Sequence, residues 1–431
     1  MNPIIRAPPE WGIEPVPEDK KILRTLDIAV LWSSLGVGLL VMQAGALLVQ
    51  WLTLSVSEAI MVSIVGSIVG SVILAAAGII GSKYGVPTMV SFRPILGIKG
   101  TYLPSILNVL QLIGWTTFEI IIMGEAATAI SGEFLGPFTR YFWMLVFSTW
   151  CILLAVYGPL TVVRQWLEKF AIWLVYASSL WITYEIIRAG IPMSGGSASI
   201  SNMLLGIDLV VAMPVSWMPL ISDYNRFAEK PSKGFLGTFL SYTLANAWFF
   251  SMGAALATLY PGESVVYSMA LLLLGQVAIL GILVDETDNA FADIYSATIS
   301  LQNMFPKIRQ WKLAVLIGGL STVLAFFIPI MQYENFLLLI GASFVPLFGV
   351  LFADFFVVRK GKYILGEFYD KAPELKVSAL ASWVLGFTVY YLLAYVLVDF
   401  GIGATLPSLF SSFLVYIVVE YLKGGEKNES S

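Results

Sequence analysis

Several acidic side chains interrupt an apolar stretch of the chain, ILVDETDNAFADIYSA from Ile282 to Ala297, which contains no Lys or Arg. At about 100° per residue its polar side chains fall on one side of a helix; they are Asp285, Glu286, Asn289, Asp293 and Ser296, with Asp288 at the edge. Because like charges and burial both disfavour ionisation, at least one of these acids is expected to hold a proton at neutral pH, unless a cation neutralises it. The stripe is therefore predicted to bind something positive.

A second group of candidate binding residues lies in QLIGWTTFEIIIMGEA, from Gln111 to Ala126. Gln111, Trp115 and Glu119 recur at four-residue spacing, which places an amide, an indole and a carboxylate on one helical face. An indole stacks on a flat ring, and a neighbouring carboxylate or amide reads ring nitrogens and exocyclic amines. The competing interpretation is a tryptophan packed between helices. Glu119 has no basic partner in any apolar segment, so both interpretations stand at this point.

Composition places these groups in a membrane protein. The chain of 431 residues is 58% hydrophobic and only 12% charged, against roughly 25% charged in soluble domains. Segments long enough to span a bilayer as helices are predicted near 28–50, 56–82, 102–128, 141–158, 165–188, 204–224, 236–260, 275–304, 312–330, 336–358, 378–399 and 404–422. The acidic stripe then lies around mid-membrane in the eighth span, where carboxylates are functional by default. A loop outside the membrane is disfavoured because the apolar pattern continues through YSATISLQNMF.

Orientation follows from the basic residues. All of the 24 Lys and Arg residues except Arg140 and Arg188 fall in the two tails or in loops on one side of the predicted spans. By the positive-inside rule that side is cytoplasmic, so both termini are expected in the cytoplasm of a cell whose plasma membrane holds the chain. We expect a tail over 1–26, one transmembrane domain over 27–422 and a second tail over 423–431.

Composition also limits the chemistry. Histidine is absent and the single cysteine, Cys151, lies in an apolar span, so neither a usual proton shuttle, nor a thiolate metal site, nor a disulfide framework is expected. No cofactor motif or activated nucleophile appears, which argues against an enzyme. The basic residues are spread among loops rather than gathered with aromatics, which argues against nucleic-acid binding. No obligate protein partner is indicated; the bilayer, a small molecule and a proton or sodium ion are the expected partners.

Helix breakers interrupt the first and sixth spans, in LGVGLL (35–40) and in AMPVSWMPL (212–220). Because the two spans are five apart, a five-helix repeat would enter the membrane upside down the second time, and broken helices at matching places indicate a midplane substrate site. Glycine and proline also occur in spans for packing alone, which is the simpler interpretation of LGVGLL. Pro214 and Pro219 bracket Ser216 and Trp217 and release carbonyls that only a cavity or ligand is expected to use.

Four motifs then resemble one family. RPILGIKG (93–100), GWTTFE in the third span, PVSWMPLISDYNRF (214–227) and PLFGVLFADFFVVRKGKY (346–363) resemble the nucleobase-cation symporters that include the cytosine permeases, in the family's order and over almost the whole chain. The segment FADIYSA is similar to the hydroxymethylpyrimidine branch. The resemblance implies a leucine-transporter-type fold: inverted repeats over 27–190 and 204–360, accessory helices over 378–422, and a bundle of spans one, two, six and seven moving against spans three, four, eight and nine.

The resemblance also implies roles for residues. It places a flat base between Trp115 and the broken part of span six, from Pro214 through Ser216 to Trp217, with Glu119 reading the base where a glutamine is common. Gln111 and Asn289 are candidate additional contacts. In the family a coupling sodium is held by carbonyls of the broken first span, here around Ser34 to Gly38, and by paired hydroxyls of span eight.

The chain departs from that pattern at the expected hydroxyl pair, where Asp285 and Glu286 stand, with Asp288 close by. A carboxylate replaces a bound cation by accepting a proton, so we expect proton coupling through these acids, with sodium bound by acidic ligands as the alternative. The expected function is import of cytosine, hydroxymethylpyrimidine or a similar heterocycle by alternating access. Sodium-coupled purine transport, an amino-acid transporter and a cation channel are the alternatives. A further expectation is that Asp223 pairs with Arg226.

Overall fold

The computed structural model of the protein describes residues 11–157, 172–191, 198–329, 333–397 and 400–429. Within these ranges the regular structure is helical, apart from an isolated bridge between Leu23 and Ala228. Helices lie at each of the predicted spans, and we number these spans 1 to 12. The parts of the predicted spans at 158, 165–171, 330 and 398–399 lie outside the described residues.

Spans 1 to 6 have the following bounds: Thr25–Ser34 with Leu39–Gln50, Val56–Tyr84, Tyr102–Ser131, Thr139–Tyr157, Ile172–Ala189, and Ile200–Ser216 with Ile221–Asn225. Spans 7 to 12 are Pro231–Leu259, Gly275–Met304, Gln310–Ala325, Tyr333–Phe352, Val377–Tyr391 and Thr405–Glu429. Short helical turns fill parts of the connections, among them Thr88–Ser91 and Arg93–Leu96 between spans 2 and 3.

Seven of the described helices are individually long and apolar enough to cross a membrane, and the two halves of span 1 together add an eighth. Spans 5, 7, 8 and 9 are shorter or less apolar. Span 9 has 16 residues, and span 8 carries the acidic stripe through the middle of its 30 residues. Polar side chains buried against other helices explain how span 8 is accommodated despite its composition.

Span 1 is broken within LGVGLL (35–40), the segment whose glycines predict a break. Its first half ends at Ser34, its second half begins at Leu39, and the two halves are bent by 60°. Gly38 lies in the break against span 8, because a Cβ atom there would be 3.1 Å from Asn289 Nδ2 and 3.2 Å from Glu286 Oε2. The break thus brings backbone close to the acidic stripe.

Span 6 is interrupted more mildly. The helix continues through Pro214 to Ser216, tightens into a 3₁₀ turn at Met218–Leu220 and resumes at Ile221–Asn225. The peptide N–H of Trp217 donates to the carbonyl of Pro214, and that of Leu220 donates to Trp217. Pro219 is tolerated because it lies in the first turn of the new segment.

The spans pack as two groups and an accessory layer. Spans 1, 2, 6 and 7 contact one another extensively, spans 3, 4, 8 and 9 form a second group, span 5 packs on span 8, and spans 10, 11 and 12 pack together. Spans 1 and 7 approach closely through glycines: a Cβ atom on Gly253 would lie 1.9 Å from the carbonyl oxygen of Met42. The two groups contain the same spans as the bundle and the scaffold that the family resemblance implies.

Candidate functional site

A small cavity lies where spans 1, 3, 6 and 8 meet. Its polar and aromatic lining is Gly38, Trp115, Glu119, Ser216, Trp217, Glu286, Asn289 and Asp293, and its aliphatic lining is Leu35, Leu40, Val41, Met213 and Leu220. Seven of the residues predicted from sequence to form the site are among them. The cavity therefore joins both broken helices to the two polar stripes.

Two indoles form aromatic walls of the cavity. Trp115 on span 3 is 7% exposed and Trp217 at the break of span 6 is 8% exposed. Trp115 packs edge-on against Phe336, with ring centroids 5.6 Å apart, and Trp217 packs edge-on against Trp32 at 6.2 Å. Neighbouring rings fix both indoles, so they present preformed flat surfaces to a ligand.

Glu286 is held by the break of span 1. Both of its carboxylate oxygens accept from the peptide N–H of Leu39, at 3.1 and 3.0 Å, and the N–H of Leu40 also bonds to it. Glu119 on span 3 forms a side-chain hydrogen bond with Glu286. The two carboxyl groups, from separate helices, therefore form one unit in the cavity wall.

Asn289 and Asp293 continue the polar wall along span 8. Asn289 Nδ2 lies 3.4 Å from the carbonyl oxygen of Val37, and its Oδ1 atom has no partner. Asp293 is 2% exposed and lines the cavity. Asp293 belongs to the polar stripe predicted from sequence but is not among the predicted binding residues. Its four-residue spacing from Asn289 is the signal that identifies it.

Asp285 and Asp288 face away from the cavity, toward the end of the first half of span 1. The hydroxyl of Ser34 donates to Asp285 Oδ1 at 2.5 Å. Asp288 lies beside Ser34 and Asp285, and neither of its oxygens accepts a bond of good geometry. Tyr176 of span 5 donates to the adjacent Ser33 at 2.7 Å. Ser34, Asp285 and Asp288 thus form a separate polar cluster behind the cavity.

The carboxyl groups of both clusters lack basic partners. None of the ion pairs among the described residues includes Glu119, Asp285, Glu286, Asp288 or Asp293. Among the residues that the structure describes, no group of three or more His, Cys, Asp or Glu side chains is arranged to hold a metal ion. Within the described part of the chain, no basic side chain neutralises these acids.

Two of the predicted substrate-binding residues do not line the cavity. Gln111 donates to Asn108 Oδ1 at 2.5 Å and does not line the cavity, because it faces the span-3 surface that holds span 6. Pro214 packs toward span 2, where a Cβ atom on Gly70 would meet its ring at 2.3 Å. The carbonyl of Pro219 itself accepts from Asn108 Nδ2 at 3.2 Å. This contact ties the interruption of span 6 to span 3 of the scaffold.

The expected Asp223–Arg226 ion pair is also absent as a direct contact between these described residues. Arg226 donates to the carbonyl of Gly12 at 2.8 Å and to the hydroxyl of Tyr295 at 3.1 Å. Asp223 Oδ1 accepts from the peptide N–H of Thr88 at 2.9 Å. Adjacent turns of a short helix point the two side chains to different neighbours, so Arg226 anchors the N-terminal segment instead.

Comparisons with known proteins agree with this architecture. A family model described as permease for cytosine/purines, uracil, thiamine, allantoin matches residues 15–415. A putative purine-cytosine permease, YxlA, of Bacillus subtilis (strain 168) is 22% identical over 419 residues, which cover 91% of this chain and 89% of the relative.

Two solved structures have a similar fold. Mhp1, a nucleobase-cation-symport-1 family transporter in a closed conformation with bromovinylhydantoin bound, has a TM-score of 0.80 at 16% identity and covers 96% of this chain and 95% of its own. A Na+-coupled sialic acid symporter in a substrate-bound outward-open state has a TM-score of 0.63 at 14% identity, covering 94% and 91%. The all-helical fold with two inverted five-helix repeats is therefore that of these multi-pass membrane proteins.

Proposed function

We propose a substrate and a coupling ion for this chain on the premise that it belongs to the family of permeases for cytosine/purines, uracil, thiamine and allantoin. The chain is thus a membrane transporter and not an enzyme. We propose that it imports cytosine, hydroxymethylpyrimidine or a closely related amino-substituted heterocycle by alternating access, and that a proton is the coupling ion. Coupling to an inwardly directed proton gradient gives the proposed inward direction of transport.

The cavity supports a flat, nitrogen-rich substrate. Trp115 and Trp217 offer aromatic faces, and the polar groups beside them are carboxyl and amide groups, which accept from ring N–H and exocyclic amines. We assign Glu119, Asn289 and Asp293 to reading the edge of the ring, with Ser216 at its rim. Gln111 and Pro214 support this wall without touching the ligand.

The observation that carries the proton proposal is the buried cluster at the break of span 1. Asp285 is 1% exposed, receives a hydrogen bond from Ser34 and has no basic partner among the described residues. Asp288 adds a second acid, so the cluster alternates between protonated and ionised forms as access changes. We assign Asp285 as proton carrier, with Asp288 and Glu286 as neighbours that set its charge state.

Sodium is the alternative coupling ion, since the similar sialic acid symporter is Na+-coupled. Carbonyls between Ser34 and Gly38 together with the acids of span 8 supply hard oxygen ligands, which suit such a cation. An amino-acid substrate is disfavoured because the cavity wall carries carboxyl groups rather than a counter-charge for a substrate carboxylate. A channel is disfavoured by the paired interruptions of spans 1 and 6.

Uptake of labelled cytosine into proteoliposomes tests the proposal. Inward proton and inward sodium gradients are applied in parallel, with unlabelled pyrimidines and purines, including hydroxymethylpyrimidine, as competitors. Uptake that follows the proton gradient and ignores sodium is expected. Strict sodium dependence would overturn the proton assignment. If cytosine is not taken up and no competitor stabilises the protein against heat, the substrate class is wrong.

A further inference from the structure

The second half of span 1 begins beside the cavity with a helix N-terminus. This helix, Leu39–Gln50, has 12 residues, and Gly38, Leu40 and Val41 at its start line the cavity. The first N–H groups of a helix have no partner within it and carry partial positive charge, so they attract anions. In transporters built on broken helices, such a half-helix N-terminus points at the anionic group of a substrate.

In this chain a protein carboxylate already occupies that position. Both oxygens of Glu286 accept from Leu39, Leu40 adds a contact, and Glu286 is fully buried. The absence of a side chain at Gly38 makes room, because a Cβ atom there would lie 3.2 Å from one carboxylate oxygen and 3.3 Å from the other. The anion-binding end of the half-helix is therefore satisfied before any ligand enters.

Glu119 of span 3 adds a second carboxyl group beside this filled anion position. Two carboxyl groups form a hydrogen bond only when one of them carries a proton. Because both oxygens of Glu286 face N–H donors, Glu119 is the donor of their shared bond. Glu119 lines the cavity beside Glu286 and brings no positive charge to the anion position.

The remaining groups around the pair add no positive charge. Asp285 and Asp293 interact electrostatically with Glu119, and Cys151 of span 4 lies near it. No ion pair among the described residues brings a Lys or Arg to this pair. A ligand carboxylate would meet only acidic neighbours and a half-helix that is already capped.

We propose that Glu286 is a specificity-determining residue: its carboxylate fills the anion position at the start of Leu39–Gln50 and thereby restricts the transported heterocycles to those without a carboxylate. The selection acts by exclusion, since the occupied N–H groups and the neighbouring acids penalise the anion. The inference deepens the proposed function and rests on it for the identity of the ring, but the filled anion position is a property of the site itself.

The first test needs no transported substrate. Thermal unfolding of purified full-length Glu286→Ala is measured with sodium formate and, in parallel, with equal sodium chloride. Formate restores a carboxylate to the vacated N–H groups, so it is expected to raise the unfolding temperature of Glu286→Ala by a few degrees at about 50 mM, with no such rise in wild type. Asp288→Ala is the matched control, because this acid of the same helix caps no helix end. No specific effect of formate on Glu286→Ala, or an equal effect on Asp288→Ala, overturns the proposal.

The second test uses ligands of equal size and different charge, cytosine-5-carboxamide and cytosine-5-carboxylate, with cytosine as reference. Wild type is expected to bind the carboxylate about 100-fold more weakly than the carboxamide, and Glu286→Gln is expected to narrow that ratio about 10-fold. Equal binding of both by wild type, or an unchanged ratio in Glu286→Gln, contradicts the proposal. If Glu286→Ala does not fold, the proposal is judged by the ratio of carboxamide to carboxylate binding in wild type and by the change of that ratio in Glu286→Gln. If no cytosine derivative binds wild type, the proposed substrate class fails while the formate test still decides on the anion position.

Discussion

Spans 1 and 6 are both interrupted beside the cavity, but their freed backbone groups have different partners. At span 1 the halves bend by 60°, and the N–H of Leu39 faces a carboxylate of span 8. At span 6 a 3₁₀ turn bridges the interruption, and the carbonyl of Pro219 is taken by Asn108 of span 3. The interruption of span 1 therefore holds ionisable groups, whereas the interruption of span 6 positions an aromatic wall of the cavity.

The largest effect is expected at span 1. Asp285→Asn removes the ionisable group that Ser34 holds, so gradient-driven accumulation of labelled cytosine should fall by about 100-fold, a loss comparable to that of a group that must carry the proton. Exchange of labelled for unlabelled cytosine, which needs no net proton movement, should persist. Loss of exchange and accumulation together, with ligand binding also gone, would instead indicate a structural role for Asp285.

At span 6 the expected effect is on affinity. Trp217→Ala removes one aromatic face, and base–aromatic stacking is worth about 1–3 kcal/mol, so the dissociation constant for cytosine should rise by a factor of ~5 to ~150. Trp217→Phe keeps a ring and should lose less. Isothermal titration of the purified variants measures this, and an unchanged affinity in Trp217→Ala would remove span 6 from the binding surface.

Gly38 tests the close approach of span 1 to span 8. A Cβ atom there would press on Asn289 Nδ2 at 3.1 Å and on Glu286. Gly38→Ala should therefore lower the uptake rate about 10-fold by displacing both groups from the cavity wall, in line with the cost of misplacing site residues by fractions of an ångström. Gly319→Ala is the control, since nothing lies within 4 Å of its added methyl group, and uptake should not change.

Asn108 is expected to produce the smallest effect on uptake and a measurable one on stability. Asn108→Ala leaves the buried carbonyl of Pro219 without its donor, which costs about 1–3 kcal/mol. The unfolding midpoint should fall, and uptake should slow because the span-6 interruption loses its tie to the scaffold. Asn246→Ala is the matched control: it removes a bond to Ser67 that joins spans 7 and 2 within the bundle, so stability should fall without slower uptake per folded molecule.

Much of the architecture follows from local sequence properties. Runs of apolar residues predict the spans because only helices satisfy backbone groups in lipid. The breakers in LGVGLL and the prolines of AMPVSWMPL predict both interruptions, and the four-residue spacing of Trp115 and Glu119 predicts that both reach one surface. Each of these features is set by residues close together in the chain.

Other features depend on which helices meet. The stripe of span 8 is one surface in sequence, but neighbouring helices divide it: Glu286, Asn289 and Asp293 face the cavity, while Asp285 and Asp288 face Ser34. Gln111 shares a helical face with Trp115, yet its amide bonds to Asn108, because span 6 packs at that depth. Periodicity gives the direction of a side chain but not the partner that it meets.

Sequence alone therefore determined that this chain is a polytopic helical membrane protein with two interrupted spans, an aromatic residue in span 3 and acids inside span 8. Only the tertiary structure decided that Glu286 caps the second half of span 1 and bonds to Glu119. The physical reason is range: hydropathy and helix breaking act within a few residues, whereas these contacts join groups far apart in sequence through the packing of three helices.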